Sequence, residues 1–325
     1  MRFLVLGGTA WVGRTIAGEA LARGHEVVCL ARGLSGEIAP GARLVVADRD
    51  LPGAYDGAAG HWDAVVDVAR TPAHVEGAVA ALDADRFVLV STGNVYADHG
   101  TPGRDETASL LDPDGEPADG GEAYGMGKVA CERAALARFG SRALIARAGL
   151  IGGPGDTSGR SGYWPRRFAH PAGDAVLVPG GPDRPAQLID VRDLAGWLVR
   201  SAEQGVGGVF DAVGERTTLA AVLGVAADVG RSDRTVAAEE AWLLEQGVAE
   251  WAGPRSLPLW LADPDWQGFA ARDGSRARAA GLTHRPIRDT LADVLAWEET
   301  QPVQPHGAGL SDDEERELLR LLTAS

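Results

Sequence analysis

Only two cysteines, Cys29 and Cys131, occur in 325 residues, one in an apolar strand-like run and the other in a helix-like run. Their spacing matches neither a metal knuckle nor a disulfide framework, so both read as buried thiols in a reducing compartment. Long apolar runs are lacking too, since none approaches the roughly 20 residues that a membrane helix needs. The first residues pass from Arg2 through a short apolar stretch into Gly7 and Gly8, too short for the apolar region of a secretory signal. These absences predict a soluble, cytoplasmic protein. Positive charge is scarce as well: 31 Lys plus Arg against 46 Asp plus Glu give a formal net charge of −15, spread along the chain. Such a surface repels phosphate backbones and anionic lipid, because affinity for nucleic acid comes from basic residues that displace counterions. Neither nucleic acid nor a membrane is an expected partner. The 7 histidines show no paired ligand spacing. Neither Gly-x-Ser-x-Gly nor Gly-x-x-x-x-Gly-Lys occurs. A metal site, a serine nucleophile and a P-loop are therefore not expected.

What is present alternates. Short β-branched runs at Arg2–Leu6, Glu26–Leu30, Arg43–Val46, Ala64–Val68, Phe87–Ser91 and Ala143–Arg147 are separated by helical patterns that begin near Val12, Pro72 and Tyr124. Most of these runs are continuously apolar, as strands are when helices cover both faces of a sheet. The expectation is an α/β fold with a doubly wound parallel sheet of the Rossmann type. From Gly149 the composition changes: Gly149–Gly162 is glycine-rich, and most of the 9 tryptophans fall after residue 160. A smaller, interleaved substrate-binding module is expected over 151–186 and 215–303. The dinucleotide-binding domain then spans 1–150, with 187–214 returning to it, because Asp190–Glu203 reads as a helix and Gly208–Val213 as a strand. Residues 304–325 form a tail in which Ser311 and Glu314 have capping-box spacing ahead of a leucine-rich helix.

Four motifs carry chemistry. Leu6-Gly7-Gly8-Thr9-Ala10-Trp11-Val12-Gly13-Arg14 lies between the first strand and the first helix, where glycines allow a tight turn and the helix amino terminus offers N–H groups to a pyrophosphate. Ala10 stands at the usual middle glycine; the plain alternative is a strand-turn-helix corner. The second strand ends Ala31-Arg32-Gly33, with no carboxylate for a ribose 2′-hydroxyl. Arg32 suits a 2′-phosphate, hence NADP(H) in preference to NAD(H), or is an exposed loop arginine. Asp48 and Arg49 after the third strand, and Val68 and Ala69 after the fourth, are further cofactor-lining candidates; Asp48 reaches an adenine edge or caps its own loop. Tyr124-Gly125-Met126-Gly127-Lys128 opens a helix and puts phenol and ammonium on one face, where the cation lowers the phenol pKa for acid–base work. Lys128 can also bond the nicotinamide ribose, and a surface pair is the plain reading. Finally, Ser91-Thr92-Gly93-Asn94 ends a buried strand, where a hydroxyl can hold a carbonyl oxygen or simply satisfy the strand end.

With these residues in place, the chain resembles the extended short-chain dehydrogenase/reductase superfamily, of the NAD-dependent epimerase/dehydratase kind. Within it the chain is similar to the branch whose fingerprint reads Gly-Gly-Thr-x-Phe-x-Gly. The resemblance runs from residue 1 to about residue 300. It implies that Thr92, Tyr124 and Lys128 match the Ser/Thr-Tyr-Lys triad, and that Arg147 to Gly153, including Gly149 and Leu150, line the nicotinamide. It also implies that Ile189–Ala195 leads back into the sheet domain, and it admits a homodimer. The chain departs from the family at Ala10 and at Ala97, which replaces a glycine. Pro72–Asp85 is too short for the usual insertion that carries an asparagine of the proton relay. Ala186 stands where members acting on nucleotide sugars carry arginine, with Arg184 two residues earlier.

Three functions follow as expectations. The first is NADPH-dependent hydride transfer to or from a small-molecule carbonyl or alcohol, with Tyr124 as general acid or base. Its substrate would sit between Asn94 and the segment around Tyr163, Trp164 and Arg184, although tryptophans in a cluster are more often core. The second is an epimerase or dehydratase that oxidises its substrate transiently with a retained NAD(P). Gly93-Asn94 stands where a sugar dehydratase would show Asp-Glu, which counts against it. The third is a non-catalytic, NADP-sensing or RNA-associated Rossmann protein.

Overall fold

In the computed structural model, which describes residues 1–301 and 307–323, seven strands form one parallel sheet. They are β1 (Arg2–Leu6), β2 (Glu26–Ala31), β3 (Arg43–Val46), β4 (His61–Asp67), β5 (Asp83–Thr92), β6 (Ala143–Ala148) and β7 (Gly208–Ala212), in spatial order 7-6-5-4-1-2-3. The connecting helices include α1 (Trp11–Ala22), α2 (Pro72–Ala81), α3 (Gly120–Phe139), α4 (Tyr163–Ala169) and α5 (Val191–Gln204). The order reverses between β1 and β4, so the connections leaving these two strands diverge and open a crevice at their carboxyl ends.

The continuous apolar runs are explained by the two layers they face. Phe3 and Val5 pack against Ile16 and Ala20 of α1 and Leu194 and Leu198 of α5. Leu4 and Leu6 face the other way, toward Val75 and Val79 of α2 and Cys131, Ala135 and Phe139 of α3. Cys29 and Cys131 are free and buried, one in each layer. The doubly wound parallel sheet is thus the one the sequence predicts. Strands β4 and β5 begin several residues earlier than hydropathy alone indicates, at His61 and Asp83. Helix α3 likewise starts at Gly120, before Tyr124. Its start is set by Asp119, whose carboxylate accepts from the Glu122 amide at 2.8 Å, while Glu122 accepts in return from the Ala118 amide. That reciprocal cap moves Tyr124 from the helix mouth into its second turn.

A second core gathers Trp164 and Phe168 of α4 with Leu177, Leu219, Val222, Trp260, Leu291 and, from the tail, Leu310 and Leu318. The expected capping box forms, the Glu314 amide donating to Ser311 Oγ and the Ser311 amide donating to the Glu314 carboxylate. The tail helix (Asp312–Thr323) then places Glu315 to accept from the Leu177 amide at 2.8 Å. One boundary differs from the expected module of 215–303. Helix Ser275–Ala279 lies beside β7, and Ala277 and Leu282 fill the first layer of the sheet domain, because that layer would otherwise stand open next to Phe210. No helix among the described residues is long and apolar enough to cross a membrane.

Helices α1 and α5 are clasped at one end. Arg23 donates from Nε and Nη2 to Glu203 at 2.9 and 2.6 Å, and His25 Nε2 lies 2.6 Å from the same carboxylate. The hydrogen bond from Arg23, with that from His25, holds the Glu203 pKa down from 4.5 to about 2. A carboxylate lowered in the folded state binds its proton less tightly there than in the unfolded chain. Its contribution is therefore complete above about pH 4.5 and is lost as the pH falls from there toward 2. Urea titrations should show a shallower loss of stability across that window in Glu203→Gln than in the parent, and equal slopes would refute the assignment.

Candidate functional site

The crevice at the switch point opens into a cavity of about 800 Å³. Ala10, Trp11 and Val12 of the glycine turn, Val68 after β4, Thr92 and Asn94 after β5, Tyr124 and Lys128 of α3, and Gly149 and Leu150 after β6 all line it. Five separate stretches of sequence therefore converge on one space.

The turn between β1 and α1 needs glycine at Gly7, which has φ +92 and where a Cβ would lie 2.6 Å from Val68 Cγ2. Gly13 packs beneath it against the Gly7 carbonyl, and Thr9 is buried. Ala10 has φ −79, an ordinary value for alanine, so the missing glycine costs no backbone strain. No side chain caps α1, which leaves its first N–H groups open toward the cavity, as an anionic phosphate requires. Trp11 at the aromatic position of the fingerprint does more than fill space. Its Nε1 donates to the Pro154 carbonyl at 2.8 Å, tying the turn to the glycine-rich loop that leaves the sheet domain.

Tyr124 and Thr92 meet because α3 runs unusually close to the 93–95 turn. A Cβ on Gly125 would fall 2.1 Å from the Asn94 carbonyl oxygen, so only glycine allows the approach. The Thr92 hydroxyl and the Tyr124 phenol thereby share one wall of the cavity. Thr92 Oγ1 also donates to Asn94 Oδ1 at 3.0 Å, which fixes the side chain of Asn94 at the cavity edge. Lys128, only 2% exposed, donates to the carbonyls of Ala69 and Val90 at 2.8 and 2.5 Å. Its third N–H has no partner among the described residues.

One electrostatic expectation is corrected here. Burial pushes the Tyr124 phenol above its ordinary pKa, and the groups that pull it back are Arg70, 4.8 Å over the ring, the Thr92 hydroxyl nearby, and Arg160. Lys128 is not the main influence, since its ammonium is spent on two carbonyls and burial lowers its own pKa. Lys128 is also the only lysine in the chain, all other Lys/Arg positions being arginine.

Other expected site residues lie elsewhere. Arg49 points away from the cavity: it forms a bidentate pair with buried Asp67 at 2.9 and 2.7 Å and bonds Tyr55, so its donors brace the end of β4. Asp48 accepts from the Asp50 amide at 3.1 Å, the loop-capping alternative. Arg32 is exposed at the end of β2 and pairs with no acid among the described residues. Tyr163 and Trp164 belong to the second core, where Trp164 Nε1 donates to the Pro258 carbonyl at 2.7 Å; their area is worth more buried than on a cavity wall. Arg184 is paired with Glu240 and does not reach the cavity. The wall facing Tyr124 is instead built by Arg160, Trp251, Leu261, Trp266 and Phe269. Only long-range folding brings 250–269 to the strand ends, and no local pattern announces it. Arg70 was closer to hand, directly following Val68-Ala69.

An uncapped helix at a glycine turn, a crevice at the switch point, and Thr92, Tyr124 and Lys128 on its wall are the features of a doubly wound α/β fold of the Rossmann type. Residues 62–212 match the NAD dependent epimerase/dehydratase family. The matched stretch runs from β4 to the end of β7, and that family is what this part of the chain is similar to. No curated protein matches the sequence. Among solved structures, one from Burkholderia cenocepacia is similar at 22% identity over 91% of this chain and 97% of its own, with a TM-score of 0.66. The UDP-N-acetylglucosamine 4-epimerase of Bacillus cereus is 17% identical, covering 94% and 99%, with a TM-score of 0.67. The Bordetella bronchiseptica enzyme WbmH, solved with NAD+, is 18% identical, covering 93% and 99%, with a TM-score of 0.66. At these identities the likeness is one of fold.

Replacing Gly125 with alanine should separate α3 from the 93–95 turn and part Tyr124 from Thr92. Overpacking of this kind costs about 1–3 kcal/mol. Gly125→Ala is expected to melt earlier and to bind substrate analogues more weakly, whereas Gly127→Ala, whose Cβ would meet only ordinary contacts at 3.7 Å, should do neither.

Proposed function

We propose that this protein is an NADPH-dependent reductase that acts on the carbonyl of a small molecule, or on the corresponding alcohol in reverse, with Tyr124 as general acid and base. The observation that carries the reading is the convergence of Thr92, Tyr124 and Lys128 on one cavity, where burial holds the phenol above its ordinary pKa. At neutral pH such a phenol keeps its proton, which is the form that can be given to a carbonyl oxygen.

The open amino terminus of α1 suits a dinucleotide pyrophosphate, and Gly149 and Leu150 suit the nicotinamide end. Arg32, exposed and without an acidic partner among the described residues, suits a 2′-phosphate, which favours NADP(H) over NAD(H). When bound, the nicotinamide supplies the hydride. Thr92 orients the carbonyl oxygen toward Tyr124, and Tyr124 Oη releases its proton to that oxygen as the C–O bond becomes an alcohol. Lys128, pinned by two carbonyls, keeps one N–H for a ribose hydroxyl and so holds the cofactor end against the phenol.

A second reading is a retained NAD and transient oxidation. It is supported by the epimerase/dehydratase family match and by the similar structure solved with NAD+. Gly93-Asn94 offers no acid or base beside Thr92, which weighs against it. Turnover that needs no added cofactor would favour the second reading; steady consumption of NADPH with an aldehyde or ketone would favour the first.

Tyr124→Phe should lower kcat by about 100-fold or more while leaving cofactor affinity intact. Full turnover in that variant would sink the mechanism. Because burial raises the phenol, reduction should be flat through neutral pH and decline only above the ordinary tyrosine range, about pH 10. Arg32→Ala should raise KM for NADPH about tenfold and leave NADH unchanged, and equal effects on both would remove the cofactor assignment.

A further inference from the structure

Two arginines in the cavity, Arg70 and Arg160, form no salt bridge among the described residues. Arg70 lies over the Tyr124 ring, and Arg160 lies 5.7 Å over the Trp251 ring. Arg160 Nε donates to Ser158 Oγ at 3.1 Å, which fixes the plane of the guanidinium and leaves its terminal fork without a partner among the described residues. Nearby carboxylates do not neutralise it. Glu250 accepts from the Ala262 and Asp263 amides at 2.8 and 3.3 Å, and Asp263 accepts from the Asp265 amide at 2.9 Å. Asp156 beneath the loop is occupied by Ser158 and Ser161 at 2.6 and 2.7 Å. Asp156 offsets only part of the burial that lowers the Arg160 pKa. A half-buried guanidinium with a free fork is an anion site, because its cost of desolvation is recovered when an anion offers two oxygens to the fork.

The wall beside that fork is aromatic. Trp251, Trp266 and Phe269 line the cavity, with Phe269 packed edge-on against both tryptophans at 5.4 and 5.5 Å. His99 stacks on Trp266 at 4.6 Å and stiffens the wall from behind. We propose that Arg160 binds an anionic group of the substrate, a carboxylate or phosphate, while the flat apolar body of the same molecule lies against Trp251, Trp266 and Phe269. This deepens the reductase reading and rests on it: the substrate class becomes a planar, anionic carbonyl compound. A nucleotide sugar fits less well, since Arg184 is paired with Glu240 outside the cavity.

The tryptophans of the wall provide the readout. Fluorescence titrations of the full chain, with NADP present, would use benzoate and phenyl phosphate as anionic probes and benzamide as the neutral one of the same shape. Benzoate or phenyl phosphate should quench and bind at least tenfold more tightly than benzamide, and the tighter of the two identifies carboxylate or phosphate. Arg160→Gln should abolish that preference without changing benzamide binding, and Arg160→Lys should restore it in part, since a point charge lacks the fork. Equal binding of charged and neutral probes, no binding of either anion, or an Arg160→Gln variant that weakens NADPH instead would each overturn the proposal. The outcome is separate from that of the reductase reading, because Tyr124→Phe should keep the anion preference while losing turnover.

Discussion

A polar stripe on α3 is the constraint on which the site depends. Tyr124, Lys128 and Glu132 follow one another at four-residue intervals and therefore share one face of the helix. Each engages the carboxyl end of the sheet: Tyr124 meets Thr92 of β5, Lys128 holds Val90 of β5 and Ala69 after β4, and Glu132 accepts from Ser91 of β5 at 2.5 Å and pairs with Arg147 of β6 at 2.7 Å. A helix docked by apolar contacts alone could slide by a fraction of a turn. Here such a slide would strand a buried ammonium and a buried carboxylate, and an unpaired buried charge costs about 3–5 kcal/mol. The helix position that serves the phenol is thus the one that satisfies the charges.

The same network continues past the helix. Arg147 donates to Tyr96 Oη at 3.0 Å, and Tyr96 donates to Asp211 of β7 at 2.6 Å. Arg272 closes the chain by donating to Asp211 at 3.0 Å and stacking 3.4 Å over Tyr96. Burial raises the Asp211 pKa to about 6 even with Arg272 beside it, so its ionised form relies on that arginine. Arg272 follows Phe269 closely, and Phe269 is part of the cavity wall. The Tyr124 side of the cavity and its apolar side are therefore positioned by one connected set of buried hydrogen bonds, although they lie in different modules.

How far the sequence reveals this follows from the range of each interaction. The strands of the sheet, the glycine turn and the set Thr92, Tyr124 and Lys128 are local patterns at the ends of periodic runs, and they converge in space because the topology leaves little choice. Residues whose partners are distant are misread. Arg49 resembles a cofactor contact until Asp67 claims it, and Arg184 resembles a substrate contact until Glu240 does. Tyr163 and Trp164 carry the right chemistry for a pocket but the larger gain lies in the second core. The true wall at 250–269 has short irregular elements and no periodicity, so hydropathy offers no handle on it.

Composition holds one further signal. Arginine serves as the cation throughout this chain, except at Lys128. Surface ion pairs accept arginine readily, and so do the bidentate pairs Arg49–Asp67 and Arg147–Glu132. At position 128 the cation sits in a narrow space between two strand ends, where it must bond two carbonyls from one nitrogen. A guanidinium is a planar fork with its donors spread apart, and it cannot converge on both carbonyls while leaving a third N–H for the cavity. In a chain that has otherwise dispensed with lysine, its retention at one buried point beside Tyr124 is explained by geometry that only a tetrahedral ammonium satisfies.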